Sequence, residues 1–514
     1  MSPKDDRRSV SKPGISRRGV LRGLTAGAVV VGFDPVSRAW ATQGEAADGA
    51  TGSGAAAGGG GLVGLPPLDG TLLTDPADLA AAADDYGHLV HRTPLAVLQP
   101  GSVHDVTAML RFCYQHRLPV AARGQGHQTF GQAQVAGGLV IDMSPLDQIS
   151  ISGSTATAQA GATWFDVLNA AVAQGLTPPV FPDYVHLSLG GTLSAGGVGG
   201  ASQHFGAQVD TVLELQVATG TGDLLACSAT ERPDLFQAVL SGLGQCGVII
   251  SATVALRPAP QSVRQYVLNY PTVDALTADQ RKVVLDGRFD WLEGQAAVSG
   301  SGGAGDWVYQ LEGAAYYDGT PPDDSALIGD LDYLAGTAVI TDMDYTDFVT
   351  ILDPVVAILQ STGEWYDPHP WIDLFLPDTQ ADALITATMA DLGENDIGAS
   401  GVVLFYPVPR ARFTHPLLRM PDGELTFLFA VLRTASPDTD ALPAATMLAD
   451  NEQLYLQARS VGALRYAIDS VPMTHADWLE QYGPVWPQFA AAKSRFDPHR
   501  ILAPGQGIFP ELGG

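Results

Sequence analysis

Arg123-Gly124-Gln125-Gly126-His127-Gln128-Thr129-Phe130-Gly131-Gln132 follows a short apolar run at 118–122 and shows no helical periodicity after it. Its closely spaced glycines let backbone N–H groups converge on an anion, as in a nest. A second glycine-dense stretch is Gly190-Gly191-Thr192-Leu193-Ser194-Ala195-Gly196-Gly197-Val198-Gly199-Gly200. No helix is expected to survive that density, so it reads as a loop pressed against something flat or phosphorylated. A third, Gly242-Leu243-Gly244-Gln245-Cys246-Gly247, spells GxGxxG. That fingerprint binds dinucleotides only with a strand before it and a helix after it. Here a helical stretch, 235–240, precedes it and a β-branched run, 248–254, follows, so the order is reversed and the match is discounted. Each loop alone is compatible with a structural turn. Three in one domain favour a large ligand.

The surroundings of these loops are regular. A strand at 96–98 leads to a helix at 102–117 with Val106, Met109, Leu110 and Cys113 on one face and Ser102 as its N-cap. A strand at 118–122 completes a strand–helix–strand unit. Further strands are expected at 139–143, 213–218 and 248–256, and a helix at 164–174. Pro258-Ala259-Pro260 then breaks the pattern. Residues 261–460 have longer loops and more aromatics, and read as a second domain inserted into the first. Residues 461–514 return to the first, whose initial part spans 62–260. The fold class is α+β.

Bulk properties narrow the function. The 514 residues suit two domains, and 46% hydrophobic against 16% charged residues can bury sizeable cores. A net charge of -28 opposes binding to nucleic acid, and no basic amphipathic stretch suits an anionic membrane. Three cysteines are too few for a disulfide framework or a zinc site; one disulfide and three buried thiols both fit the count. No His-x-x-x-His pair occurs, and His88 with His91 lacks a ligand motif, so no metal is expected. Residues 1–41 read as an address: a twin arginine at Arg17-Arg18, an apolar run at 24–33, then Ala39-Trp40-Ala41 as a cleavage site. Ten apolar residues are about half a bilayer span, so a Tat-type export signal is expected and the mature protein would be secreted with no membrane span. Residues 42–61, rich in Gly and Ala, read as a flexible linker.

Taken together, these motifs resemble the cytokinin dehydrogenases, within the vanillyl-alcohol-oxidase or PCMH-type covalent flavoproteins. The likeness to the FAD domain runs from about residue 92 to 260 and continues in patches to the C-terminus. It rests on Trp164-Phe165-Asp166-Val167-Leu168, Asp183-Tyr184-Val185-His186-Leu187, Gly190-Gly191-Thr192-Leu193-Ser194 and the 242–249 segment. Trp291-Leu292-Glu293-Gly294, Pro368-His369-Pro370-Trp371 and Ala503-Pro504-Gly505-Gln506 add to it.

The resemblance implies a bilobal protein. A PCMH-type FAD-binding domain of two α+β subdomains would carry an inserted substrate domain, built on an antiparallel sheet covered by helices. It implies FAD bonded once, to His127, and further flavin contacts at Ala122, Gly124, Gln125, Gly126, Gln128 and Gln132. Asp183, Ser188, Ser194, Val198, Ile249, Tyr466 and Gln506 would complete that set. Gln128, Ser188 and Ala503 stand where the family usually has serine, threonine and serine. Asp166 is implied as the catalytic carboxylate that accepts a hydrogen bond from the substrate nitrogen; the other reading of Asp166 is an exposed acid facing a helix N-terminus. Glu293 is implied as a catalytic and substrate-binding acid holding a purine ring, and Trp371 as a pocket wall. Asp373 replaces a family asparagine. The implied reaction acts on a small-molecule amine. It oxidises the C–N bond in the side chain of an N6-substituted adenine, with oxygen or a quinone as electron acceptor and the protein a monomer. The alternative is a covalent-FAD oxidase of an alcohol, sugar or phenol on the same scaffold, because fold does not set substrate. A secreted binding protein that retains the shell without catalysis is the third reading.

Overall fold

The apolar run near residue 96 becomes an inner strand, Ala96–Gln99, of a four-stranded mixed sheet. The sheet is ordered Thr71–Leu73, Ala96–Gln99, Leu139–Asp142, Val120–Arg123, with the first pair antiparallel and the others parallel. The helix Val103–His116 links Ala96–Gln99 to Val120–Arg123 and buries Val106, Met109, Leu110 and Cys113, as their spacing predicts. Ser102 occupies the N-cap, but its hydroxyl accepts no helix N–H and instead donates to Asp69 Oδ2 (2.7 Å). A computed structural model describes residues 29–34, 39–43, 62–299 and 303–510 of the protein.

The second subdomain holds a five-stranded antiparallel sheet, ordered Leu224–Ser228, Val212–Ala218, Val248–Ala255, Thr155–Gln159, Ile149–Ser152. The helix Trp164–Val172 precedes the second glycine stretch. That stretch departs from expectation: Leu189–Ala195 is helical despite Gly190 and Gly191. Each glycine costs a helix about 1 kcal/mol. Burial of Leu189 and Leu193 offsets this, and a Cβ at Gly190 would lie 2.7 Å from the Ala160 Cβ, so the glycine lets the helix touch the neighbouring strand. The loop proper begins at Gly196 and Gly197, with φ of 140° and 76°. Around the GxGxxG segment the order is helix Pro233–Val239, then strand Val248–Ala255, opposite to a dinucleotide fold.

Seven strands from residues 261–460 and one from beyond them form an eight-stranded antiparallel sheet that covers the cavity. Its two faces follow from period-two alternation. In Trp291–Val298, Leu292 and Ala296 join the core beneath the helices Val273–Asp286 and Asp378–Asp391, whereas Trp291, Glu293 and Gln295 face the cavity. Val403 and Phe405 likewise point to the core, and Leu404 and Tyr406 to the cavity. The short strand Leu464–Arg465, beyond the inserted region, pairs with Ile372–Pro377 and ties the C-terminal return to this sheet.

At the N-terminus the backbone of Val29–Asp34 and Ala39–Gln43 pairs with Leu62–Gly64 in a three-stranded sheet that shares no strand with the others. These strands fall within and beside the segments expected as signal and linker; Val29-Val30-Val31 is β-branched and favours extended backbone. The twin arginine and residues 44–61 lie outside the described residues. All three cysteines are buried and free, which decides for buried thiols.

Candidate active site

Strand Val120–Arg123 delivers the first glycine stretch to the wall of a large cavity. Gly126 takes φ of 68°, where a side chain would be strained, and a Cβ at Gly124 would stand 1.9 Å from the Ser188 Oγ. A neighbouring segment clamps the turn. Tyr86 N–H donates to Gly126 O (2.9 Å), Gly87 N–H to Gln128 O (3.1 Å), and Gly131 N–H to Asp85 Oδ2 (2.7 Å). His127 is thereby bracketed on both sides by backbone hydrogen bonds. Its ring lies 4.1 Å from the Tyr86 ring, 5.4 Å from Tyr184 and 5.9 Å from Trp371. Burial among these rings lowers the imidazole pKa to about 4, so His127 is neutral and keeps a nucleophilic nitrogen near neutral pH.

The loop opens onto a cavity of about 520 Å³, within the range of large-ligand sites. Ala122, Gly124, Gln125, Gly126, His127, Gln128 and Gln132 line it, as do Asp183, Ser188, Ser194 and Val198 from the second stretch. Ile249, Tyr466, Gln506, Glu293 and Trp371 complete the walls, so tertiary structure brings together every expected site residue but Asp166. Tyr466 also holds the second loop, because its hydroxyl accepts Gly197 N–H (3.0 Å). Gln132 uses its amide on Asp469 O and Phe130 N–H (2.7 Å each).

Asp166 is the correction. It is exposed and outside the cavity wall, and its Oδ2 accepts from Thr163 N–H (3.1 Å) and Thr163 Oγ1 (2.5 Å) in a capping box at the start of Trp164–Val172. The second reading of that residue, an acid at a helix N-terminus, is the one the geometry follows. The carboxyl next to Glu293 is instead Asp183, which the sequence points to only as a flavin contact. Asp183 and Glu293 share a hydrogen bond, and Glu293 stands directly opposite Glu312 in the sheet. Asp183 is accessible, but to the cavity. Burial raises both members of the pair, and Glu293 more strongly, because the nearby Asp183 charge adds to its burial. Glu293 therefore carries the shared proton and Asp183 is the acceptor. Glu312 is also raised by burial and receives a hydrogen bond from Gln295.

Sequence reasoning missed Asp85, Tyr86 and the role of His369. Tyr86 is sandwiched: His369 stacks on it at 4.1 Å and its Nδ1 lies 3.0 Å from Tyr86 O. The acid-acid-aromatic-Gly-His run at 84–88 is the one local signal, and nothing in it announces contact with a loop about 40 residues on.

A flavin-sized cofactor suits these residues. Gln128 Oε1 is buried in the wall with no partner, and Gly124 and Gly126 keep side chains out of the turn. A neutral histidine faces the same space. Fold and site together define an FAD-binding oxidoreductase of the PCMH type. Residues 94–228 match a family model for an FAD binding domain, and residues 296–509 match one described as cytokinin dehydrogenase 1, FAD and cytokinin binding. The protein is 34% identical to cytokinin dehydrogenase 5 of Oryza sativa subsp. japonica, over 86% of its own length and 91% of that relative. It is 41% identical to an uncharacterized oxidoreductase of the fasciation locus of Rhodococcoides fascians, over 85% and 99%. The fold is similar to 6-hydroxy-D-nicotine oxidase from Arthrobacter nicotinovorans (22% identity, TM-score 0.63, 85% and 96% covered) and to a chitooligosaccharide oxidase (18%, 0.68, 86% and 98%). The protein belongs to the cytokinin dehydrogenase family of FAD-dependent oxidoreductases.

Proposed function

We propose that this protein oxidises N6-substituted adenines at the C–N bond of the substituent. The imine that forms is hydrolysed by water to adenine and an aldehyde. The observation that carries the reading is the hydrogen-bonded Asp183–Glu293 pair in the cavity of an FAD-dependent family member. FAD supplies a two-electron sink for the hydride that leaves the carbon beside nitrogen. Asp183 accepts the proton of the substituent N–H as that hydride departs, so the C=N bond forms without building positive charge on nitrogen. Glu293, protonated, fixes the adenine ring through its free Oε1, which has no protein partner. Trp371 and the apolar Leu404 and Tyr406 wall exclude water and hold the ring flat. Release of the imine to water completes the hydrolysis, and oxygen or a quinone takes the electrons.

We further propose that His127 tethers the FAD covalently, supported by its neutral imidazole and its clamped loop. Export through a Tat-type route is supported by the twin arginine and small-x-small site at the N-terminus. The test is an absorption spectrum of purified protein before and after acid precipitation, with adenine release from N6-isopentenyladenine measured alongside. Flavin in the pellet, lost in His127→Ala, supports the tether. Flavin in the supernatant removes it. Failure to release adenine while flavin is bound overturns the substrate. Periplasmic or medium fractions of a strain carrying Arg17→Lys and Arg18→Lys test export.

A further inference from the structure

Asp373 sits on the cavity face of strand Ile372–Pro377, two residues and so about 7 Å along the backbone from Trp371. Its side chain is 4% exposed and lines the cavity. The other three acids of the wall each have a side-chain partner: Asp183 and Glu293 one another, Glu312 the Gln295 amide. Asp373 has none among the described residues. Its backbone is paired, with N–H donating to Asp469 Oδ2 (3.2 Å) and O accepting Tyr466 N–H (2.9 Å), but Oδ2 is buried without a partner. A buried carboxyl left bare destabilises a fold, and such groups persist where a ligand completes them.

The charges around Asp373 decide which form it takes. Asp469 faces it from the C-terminal segment and Asp183 from across the cavity, with Tyr406 and Tyr466 as neutral neighbours. Arg465 is the one cation near it among the described residues, and Arg465 directs both Nε and Nη2 to Asp469. No described cation remains to pair with a second carboxylate there. Burial, with the Asp469 charge, accordingly holds the Asp373 carboxyl well above the usual range.

We propose that Asp373 is a ligand-contacting residue that donates a hydrogen bond to an acceptor atom, a ring nitrogen or ring carbonyl, of the aromatic heterocycle bound in this cavity. The inference rests on the reading above only in taking that heterocycle to be the flavin or a purine. An asparagine at 373 would donate equally well, whereas a leucine would fill the space and donate nothing.

The experiment compares FAD-loaded wild type, Asp373→Asn and Asp373→Leu by flavin absorption, by titration with adenine followed through the flavin bands, and by thermal melting. Asp373→Leu is expected to melt no lower than wild type, since it removes a bare buried acid. It should either weaken adenine binding about ten-fold or more with flavin bands unchanged, which makes the purine the acceptor, or shift the flavin bands with adenine binding unchanged, which makes it the cofactor. Asp373→Asn should stay within about three-fold of wild type. Unchanged bands and unchanged adenine binding in Asp373→Leu overturn the proposal, as does an Asp373→Asn that fails as Asp373→Leu does. A lower melting temperature as the sole effect of Asp373→Leu makes the residue structural and overturns it too. Wild type that ignores adenine, with flavin bands that still move in Asp373→Leu, sinks the purine reading and keeps the role of Asp373.

Discussion

The Tyr86 ring lies on the His127 ring with centroids 4.1 Å apart and 27° between their planes. Such a stack is worth about 0.5–1.5 kcal/mol beyond its burial, and here it sets the angle at which the imidazole meets the cavity. Tyr86→Phe is expected to retain wild-type flavin content, because the ring and not the hydroxyl makes the contact. Tyr86→Ala should lower the fraction of flavin that survives acid precipitation severalfold. Equal retention in both variants would show that the backbone clamp alone orients His127.

Asp183, and not Asp166, is the acid beside Glu293 in the cavity wall, and activity separates the two. Asp183→Asn is expected to reduce kcat by about 10²–10⁴, the usual contribution of a positioned base. Asp166→Asn should leave kcat within a factor of a few and cost about 1 kcal/mol of stability through its capping box. Because burial raises Asp183, the acid limb of wild-type kcat/KM should lie above the ordinary carboxylate range and rise with pH as Asp183 ionises. That limb should be absent in Asp183→Asn.

Asp85 should make stability depend on pH. Burial raises its carboxyl from 3.8 to about 6 although Gly131 and Gly87 N–H groups bond it. Between these values the native state binds more protons than the unfolded polypeptide, so stability falls as pH rises through the window. The fall amounts to roughly 3 kcal/mol at most. Melting of wild type and Asp85→Asn from about pH 4 to 7 isolates this residue from the other raised acids. The advantage of the variant should grow with pH across that window, and a constant difference would remove Asp85 from the account.

Lys493 stitches two cavity-lining segments together. Its ammonium donates to Asp497 Oδ2 (2.8 Å), Gln245 O (2.8 Å) and Leu502 O (3.1 Å), and both charges are buried. Lys493→Met leaves Asp497 uncompensated and is expected to cost about 3–5 kcal/mol. The double change with Asp497→Asn should cost less than Lys493→Met alone, as double-mutant melting curves would show.

Much of the architecture was legible from local pattern. The strand–helix–strand unit around 96–123 followed from apolar periodicity, and the reversed order around Gly242 was enough to exclude a dinucleotide fold, since it depends only on which element precedes the glycines. The helix at Leu189–Ala195 was not legible, because packing of Leu189, Leu193 and a glycine face against Ala160 outweighs weak local propensity.

Local pattern settled the turn around His127, the likeness to a flavin-binding family and the residues on each face of the strands, since turns and period-two alternation are local properties. Long-range packing alone settles which acid pairs with Glu293, that Tyr86 rests on His127, and that Asp373 is left bare. Those relationships join residues far apart in sequence. They depend on how the sheets and glycine loops pack around one cavity, and burial there sets both the protonation of each carboxyl and the partner it finds.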